Sequence, residues 1–431
     1  MVIVAVVDSG INFQHVDLAP RLWRNPGEVA GNGLDDDGNG VIDDIHGFDA
    51  ITGQAISSDP NGHGTHCAGI VAATSAGAEL MGIRLLGADG SGSFADAITG
   101  WNYALLNGAR VINNSWGGAV NPTSLRALQE IVGIGESRFG AVFVAAAGNE
   151  ATNTDQVPHS PSGLAGVLSV GASDGNGNPA SFSNFGASTV DLFAPGVQIL
   201  SADAFSTTGR VRFSGTSMAS PVVAGAVASL AAANPGATPT QLKQSLLDTV
   251  VRRQALQGLA VSGGVLANSF TGAFTSPLSS DVSGAAPVLP APESGNAGGG
   301  SSGGGGRKAR RGRSGRRSVA GTAICVVEDP ASKASVDALL DRRASTEDVE
   351  WPAAFGNRIC ILRYDHEQDS FKAVRRGLER SGLFESVERD YIVSIAGGGT
   401  AGAGAADGPA LPGVMAGALE LAGAAAGTPL L

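Results

Sequence analysis

The chain has 431 residues, 43% of them hydrophobic, enough for one large domain and a smaller one with a core of its own. Its net charge is -11, and acids outnumber Lys and Arg through residues 1–275, which argues against nucleic acid as a partner of that part. Three cysteines are too few for a disulfide scaffold, and no run of about 18 apolar residues reads as a membrane span.

Apolar runs at 2–7, 81–86, 110–114, 141–147 and 166–171 are near-continuous, as parallel strands are when both faces are covered. Helical stretches are expected between several of them, near 63–75, 94–107 and 123–138, with two more at 217–233 and 239–251. The alternation predicts an α/β fold with a doubly wound, mostly parallel sheet. Functional groups in such sheets gather beyond the carboxyl ends of the strands, where Asp8 and Asn149 both project.

Three short segments carry the chemistry. Val6-Val7-Asp8-Ser9-Gly10 ends the first strand, Asn61-Gly62-His63-Gly64-Thr65-His66-Cys67-Ala68-Gly69 opens the first helix, and Ser214-Gly215-Thr216-Ser217-Met218-Ala219-Ser220-Pro221 opens a later one. A serine hydroxyl is a poor nucleophile near neutrality and needs a base that takes its proton as it attacks. His63 suits that part, and a buried carboxylate such as Asp8 would hold its tautomer and offset its transient charge. Pro221 fits the first turn of the helix that begins at Ser217, where proline is tolerated.

The order Asp, His, Ser and these flanking residues resemble the subtilisin-like serine proteases, or subtilases, over about residues 2–250. The resemblance implies an Asp8-His63-Ser217 triad in a serine endopeptidase acting on protein or peptide substrates. It also implies an oxyanion hole made by the Asn149 amide, in Val142-Phe-Val-Ala-Ala146-Ala147-Gly148-Asn149, and by the Ser217 N–H. Read alone, Asn149 is a turn residue after a strand, and the neighbouring triad motifs reverse that reading. The segment Ser115-Trp116-Gly117 resembles the family stretch that pairs with an extended substrate, and Ala146, Ala147 and Gly148 would form the opposite wall of the first specificity pocket. A buried strand with Trp116 in the core is the plainer alternative. Cys67 reads as a small packing group whose thiol, so close to the base, would confer mercury sensitivity. A rival to the enzyme is a protease-fold scaffold that binds peptides without turning them over.

Between the first two motifs, Asp35, Asp37, Asn39, Val41, Asp43 and Asp44 alternate around Gly40 in the manner of the first half of a calcium loop. His46 stands where a full EF-hand has its bidentate Glu, so that motif is incomplete. Carboxylates this dense repel one another unless screened, by a structural calcium ion or by water.

Residues 276–320 read as a Gly/Ser/Arg-rich linker, with seven basic residues in 307–317. That run is either a solvated tether or a processing, targeting or anionic-surface element. Residues 321–396 are expected to form a smaller α+β, ferredoxin-like domain: a strand at 323–327, a helix near 332–343, a hairpin across Gly356-Asn357 into 358–363, a helix near 369–381 and a strand at 386–395. Its ending, from Gly382 to Val393, resembles the inhibitory pro-domain of subtilases, which in that family precedes the protease. Here about 45 linker residues, with a mean reach of roughly 35–40 Å, would let it fold back onto the catalytic cleft as an inhibitor or chaperone. A generic interaction domain is the alternative. Cys325 and Cys360 are expected to be reduced. The start at Met1 shows no signal peptide, so an extracellular location follows from the resemblance alone, and a fragment, a rearranged gene or a cytoplasmic form are the other readings. The Ala/Gly-rich tail, 397–431, reads as disordered.

Overall fold

The computed structural model describes residues 1–119, 126–266, 318–341, 346–364 and 371–395. The expected linker up to residue 317, with its basic run, and the expected tail at 397–431 lie outside the described residues. In chain order the larger part contains β1 (Val2–Asp8), β2 (Gly47–Asp49), β3 (Gln54–Ala55), α1 (His63–Thr74), β4 (Ala78–Arg84), β5 (Ser91–Ser93), α2 (Phe94–Leu106), β6 (Val111–Asn114) and β7 (Trp116–Ala119). It continues with α3 (Arg126–Phe139), β8 (Val142–Ala146), β9 (His159–Ser160), β10 (Leu168–Ser173), β11 (Leu192–Pro195), β12 (Ile199–Ala202), β13 (Arg210–Phe213), α4 (Thr216–Ala233), α5 (Pro239–Leu247), β14 (Val251–Arg252) and β15 (Gly264–Val265).

Ten of these strands form one sheet in the order β14-β15-β11-β10-β8-β6-β1-β4-β2-β3. Every neighbouring pair is parallel except the two at the ends. The near-continuous apolar runs follow from burial on both faces. On β1, Ala5 and Val7 enter a core with α2 and α3 residues, while Val4 and Val6 enter a second core with α1 and α4. Each fully buried Val contributes roughly 1.5–3 kcal/mol. Helix α4 is apolar around its circumference because it runs through the second core. It is the one helix among the described residues long and apolar enough to cross a membrane, and 78% of it is buried inside the fold.

The smaller part consists of β16 (Ser318–Val327), α6 (Lys333–Leu340), β17 (Thr346–Glu350), β18 (Ile359–Tyr364), α7 (Phe371–Glu379) and β19 (Phe384–Ile395). Its strands lie in the order β17-β18-β16-β19, all antiparallel. The linker expected to reach 320 gives way to strand already at Ser318. The hairpin is longer than expected: a short helical turn at Ala353–Phe355 precedes Gly356 and Asn357, both at positive φ, and β18 starts only at Ile359. One face of this sheet carries Cys325, Cys360 and Leu362 against Val336, Leu340, Val374 and Leu378 of its two helices. The other face turns Ile324, Val326, Ile359 and Ile361 toward Trp101, Leu105, Leu128 and Ile131 of α2 and α3. All three cysteines are buried and outside any disulfide, although Cys325 and Cys360 are register partners.

Candidate active site

Asp8 closes β1 in the middle of the sheet, and His63 opens α1 above it. Nδ1 of His63 lies 2.8 and 3.0 Å from the two Asp8 carboxylate oxygens, and Asp8 Oδ1 also accepts from the Ser9 N–H at 2.8 Å. Close approach of helix to strand depends on Gly64, where a Cβ would stand 2.3 Å from the Gly10 carbonyl oxygen and 3.1 Å from Asp8 Cβ. The helix start is tied down by Asp59, which accepts from the N–H groups of Gly62 and Thr65, the Thr65 hydroxyl and the Ser9 hydroxyl. Sequence reasoning passed over Asp59, although an acid just before a Gly-His helix start is a capping signal. Burial works against the protonated His63 ring, yet the adjacent Asp8 charge prevails and holds it well above the ordinary imidazole range. His66 is the opposite case. Burial and its neighbour His63 push it down to about 3, and its Nε2 faces the carbonyls of Ile199 and Val211, so it is a neutral structural group.

Ser217 sits in the first turn of α4 and is 2% exposed. Cys67 joins it to the histidine: its Sγ is 3.9 Å from His63 Nδ1 and donates to the Ser217 carbonyl at 3.4 Å. Burial pushes the Cys67 thiol up, so it is a neutral spacer near pH 7. The Ser217 hydroxyl donates to the Ser115 carbonyl at 2.9 Å, the Ser115 hydroxyl returns a bond to the Ser217 carbonyl at 2.9 Å, and His63 Nε2 has no hydrogen-bond partner. Asn149 follows β8, and its amide oxygen accepts from the Thr216 N–H at 2.8 Å and the Thr216 hydroxyl at 2.9 Å. This directs the amide nitrogen as the donating end, beside Gly215.

Ser115, Gly117, Ala146, Ala147 and Gly148 fall on the strand ends that flank Ser217 and Asn149. Trp116 differs from the expected pocket wall: its side chain is fully buried, donates to the Val7 carbonyl at 2.8 Å and packs on Trp101, so only its backbone faces the cleft. A hydrophobic strand residue next to the site is drawn into the core by that indole bond. The cleft edge is occupied by the smaller part of the chain. The last residues of β19 run antiparallel between β5 and β7, with Ile392 opposite Ser93, Val393 opposite Gly92, Ser394 opposite both Ser91 and Gly117, and Ile395 opposite Trp116. The Ile395 N–H donates to the Gly90 carbonyl at 3.1 Å.

In the acidic loop the carboxylates divide into two groups. Asp35 accepts from the N–H groups of Gly38, Asn39 and Gly40, and Asp43 from those of Gly31 and Gly33, so both shape the turn. Val41 is buried in the core. Asp37 and Asp44 instead converge with Glu28, a residue the loop pattern did not point to, with one oxygen of each within 4.8 Å of the others. Asn25 and Asn39 donate to both Asp37 and Asp44, and the Tyr103 hydroxyl donates to Asp44 at 2.5 Å. Burial and that carboxylate push the Tyr103 phenol far above its ordinary range, so it stays a donor.

With this geometry in hand, likeness to known proteins carries weight. Thermitase of Thermoactinomyces vulgaris is 37% identical over 238 residues, which cover 53% of this chain and 74% of that protein. An extracellular serine proteinase of Thermus sp. (strain Rt41A) is 36% identical over 248 residues, and the chain spans only 53% of its length. Among solved structures, a cold adapted subtilisin-like serine proteinase aligns with a TM-score of 0.51 at 31% identity, covering 62% of this chain and 88% of that one. The profile of the subtilase family matches residues 1–270, more than half of the chain, and the sheet and its helices are those of the subtilisin fold, so the chain belongs to the subtilase family.

Proposed function

We propose that the chain is a serine endopeptidase that hydrolyses peptide bonds through an acyl-enzyme on Ser217. The observation that carries this reading is the buried Asp8–His63 pair, with His63 Nε2 left without a hydrogen-bond partner and Cys67 bridging the His63 ring to the Ser217 backbone. In the reaction the Ser217 hydroxyl leaves the Ser115 carbonyl, gives its proton to His63 Nε2 and attacks the substrate carbonyl carbon. The charge that develops on that oxygen meets the Asn149 amide and the Ser217 N–H at the positive end of α4. His63 then passes the proton to the departing amine, and water repeats the sequence in reverse to release the acid. A relative named as an extracellular serine proteinase supports secretion as the expected setting.

Two features modify this activity in our reading. Glu28, Asp37 and Asp44 form an oxygen-only donor set of the kind that suits a hard divalent cation, and calcium there would neutralise three clustered charges and brace the loop against Tyr103. The 318–395 module acts as an intramolecular inhibitor, since the end of β19 takes the place an extended substrate would need between β5 and β7. Its hold on the catalytic part comes from the Phe355 and Ile359 side chains against α2 and α3, reinforced by Ala354 N–H to Asn102 at 2.7 Å, Thr99 to Glu350 at 2.7 Å and Arg358 to Glu130 at 3.0 Å.

A fluorophosphonate probe is expected to label the chain and to spare Ser217→Ala; a Ser217-independent adduct, or none, refutes the acyl-enzyme. Asn149→Ala should lower kcat by about 10²–10³-fold, the cost of removing one such donor from subtilisin, a member of the same family. Only neutral His63 accepts a proton, and its pKa is raised, so kcat/KM should climb with pH through a value above 6.5. A limb at or below 6.5 contradicts the pairing with Asp8. Calcium at 100 times its Kd should add about 2.7 kcal/mol to unfolding stability, read as a higher Tm than in chelator, and Glu28→Gln should shrink the difference. Phe355→Asp, which sets a charge in the module interface, should raise turnover of a small peptide substrate if the module inhibits; unchanged turnover in a folded variant argues for another role.

A further inference from the structure

Two of the three cysteines face each other across the centre of the smaller sheet. Cys325 of β16 and Cys360 of β18 are antiparallel register partners, both fully buried, and both belong to the cluster that Val336 and Leu340 of α6 and Val374 and Leu378 of α7 complete. Directly opposed residues of an antiparallel pair have Cα atoms about 4.5 or 5.5 Å apart, and either spacing lies inside the window of about 4.4–6.8 Å that a disulfide spans. Cys67 belongs to a different cluster, with α4 and the larger sheet. The pair stands directly behind the docking face: its neighbours along the two strands, Ile324 with Ile361 and Val326 with Ile359, alternate to the opposite side and join the core of α2 and α3. Cys325 is also paired with Val387 of β19, the strand whose end lies in the cleft. A slip of one residue between β16 and β18 would turn the docking isoleucines to the wrong side of the sheet. A bond between the two sulfurs would fix that register and close a loop holding α6, β17 and the Phe355 turn.

We propose that Cys325 and Cys360 are a thiol pair that closes to a disulfide in an oxidising setting, locks the 318–395 module in the fold that occupies the cleft, and makes release of the protease depend on reduction. This deepens the inhibitor reading above and rests on it. The oxidant is a small disulfide such as oxidised glutathione. One cysteine thiolate attacks a glutathione sulfur and expels a first glutathione thiolate; the second cysteine thiolate then attacks the protein-bound sulfur of that mixed disulfide and expels the other. The protein loses two electrons to the glutathione disulfide, and the two protons given up by the cysteines end on the two glutathione thiols. Both cysteines are buried, so the exchange takes place while the module folds or is transiently open, and the docked module then shields the bond from reductant. A domain this small gains much from such a bond because its own core is limited.

The test folds the full chain carrying Ser217→Ala, which avoids self-digestion, in buffers of graded reduced-to-oxidised glutathione ratio. After alkylation of remaining thiols and digestion, mass mapping should find the Cys325 and Cys360 peptides joined, and the joined form should have a higher Tm than the same chain in dithiothreitol. In the full chain with Ser217 intact, reduction should raise turnover of a small peptide substrate by about tenfold or more, the scale on which a cross-link shifts an opening equilibrium. The chain with both Cys325→Ala and Cys360→Ala should not respond to reductant; if it fails to fold, Cys360→Ala alone, which cannot close the bond, replaces it. Absence of the joined peptides at every ratio overturns the proposal, as does a cross-link that leaves turnover unchanged, or a reductant response that persists without the pair. Phe355→Asp separates the two readings. Where it raises turnover and reduction does not, only the thiol switch falls; where neither does, the inhibitor reading falls with it.

Discussion

A carboxylate sealed inside the protein must be paired or it destabilises the fold, and Asp8 answers this by binding His63 with both oxygens. Much of the architecture serves that contact. β1 occupies the inner part of the sheet, so its carboxyl end is dry; Gly64 lets α1 descend onto the turn after β1; Asp59 fixes the start of the helix by accepting from Gly62 and Thr65 and ties it to the Ser9 hydroxyl. Holding the ring at Nδ1 leaves Nε2 directed away from the carboxylate. The core helix α4 then brings Ser217 to the other side of Cys67, so that a tightly packed thiol sets the spacing between two helix starts.

The same packing logic explains the cleft. A sheet edge exposes unpaired N–H and C=O groups, and the gap between β5 and β7 has two such edges facing each other. Backbone pairing there is indifferent to side-chain identity, and a strand from the chain's own second part takes it up. That second part is anchored by apolar contact with α2 and α3, so the pairing of β19 is backed by a second contact away from the strand.

Electrostatics is concentrated in two places of opposite design. At Asp8–His63 a charge is buried with a partner, and the energy of that pairing appears as a raised imidazole pKa. In the acidic loop, Asp35 and Asp43 spend their charge on backbone N–H groups, while Glu28, Asp37 and Asp44 are gathered with only neutral donors: backbone N–H groups on Glu28 and Asp37, and the side chains of Asn25, Asn39 and Tyr103 on the two aspartates. Neutral donors soften the repulsion without removing it.

Local sequence was enough for five of the ten sheet strands, the five main helices and the Asp8, His63 and Ser217 motifs, because each depends on short-range features: unbroken apolar runs, helix-start glycines and prolines, and residue types with distinctive chemistry. The side chains of Trp116, Glu28 and His159 were not legible in the same way. Trp116 lies next to the cleft in sequence yet turns inward, since the carbonyl that accepts its indole N–H belongs to Val7, over a hundred residues earlier. Glu28 reaches the loop from outside its repeating pattern, and His159 meets Gly117 and Gly148 only because β9 pairs with β7. Sequence by itself thus determined the fold and pointed to the residue types at the ends of its strands and the starts of its helices that the proposed chemistry uses. Tertiary structure decided what surrounds them, because contacts between distant segments are set by sheet order and close packing rather than by any local spacing.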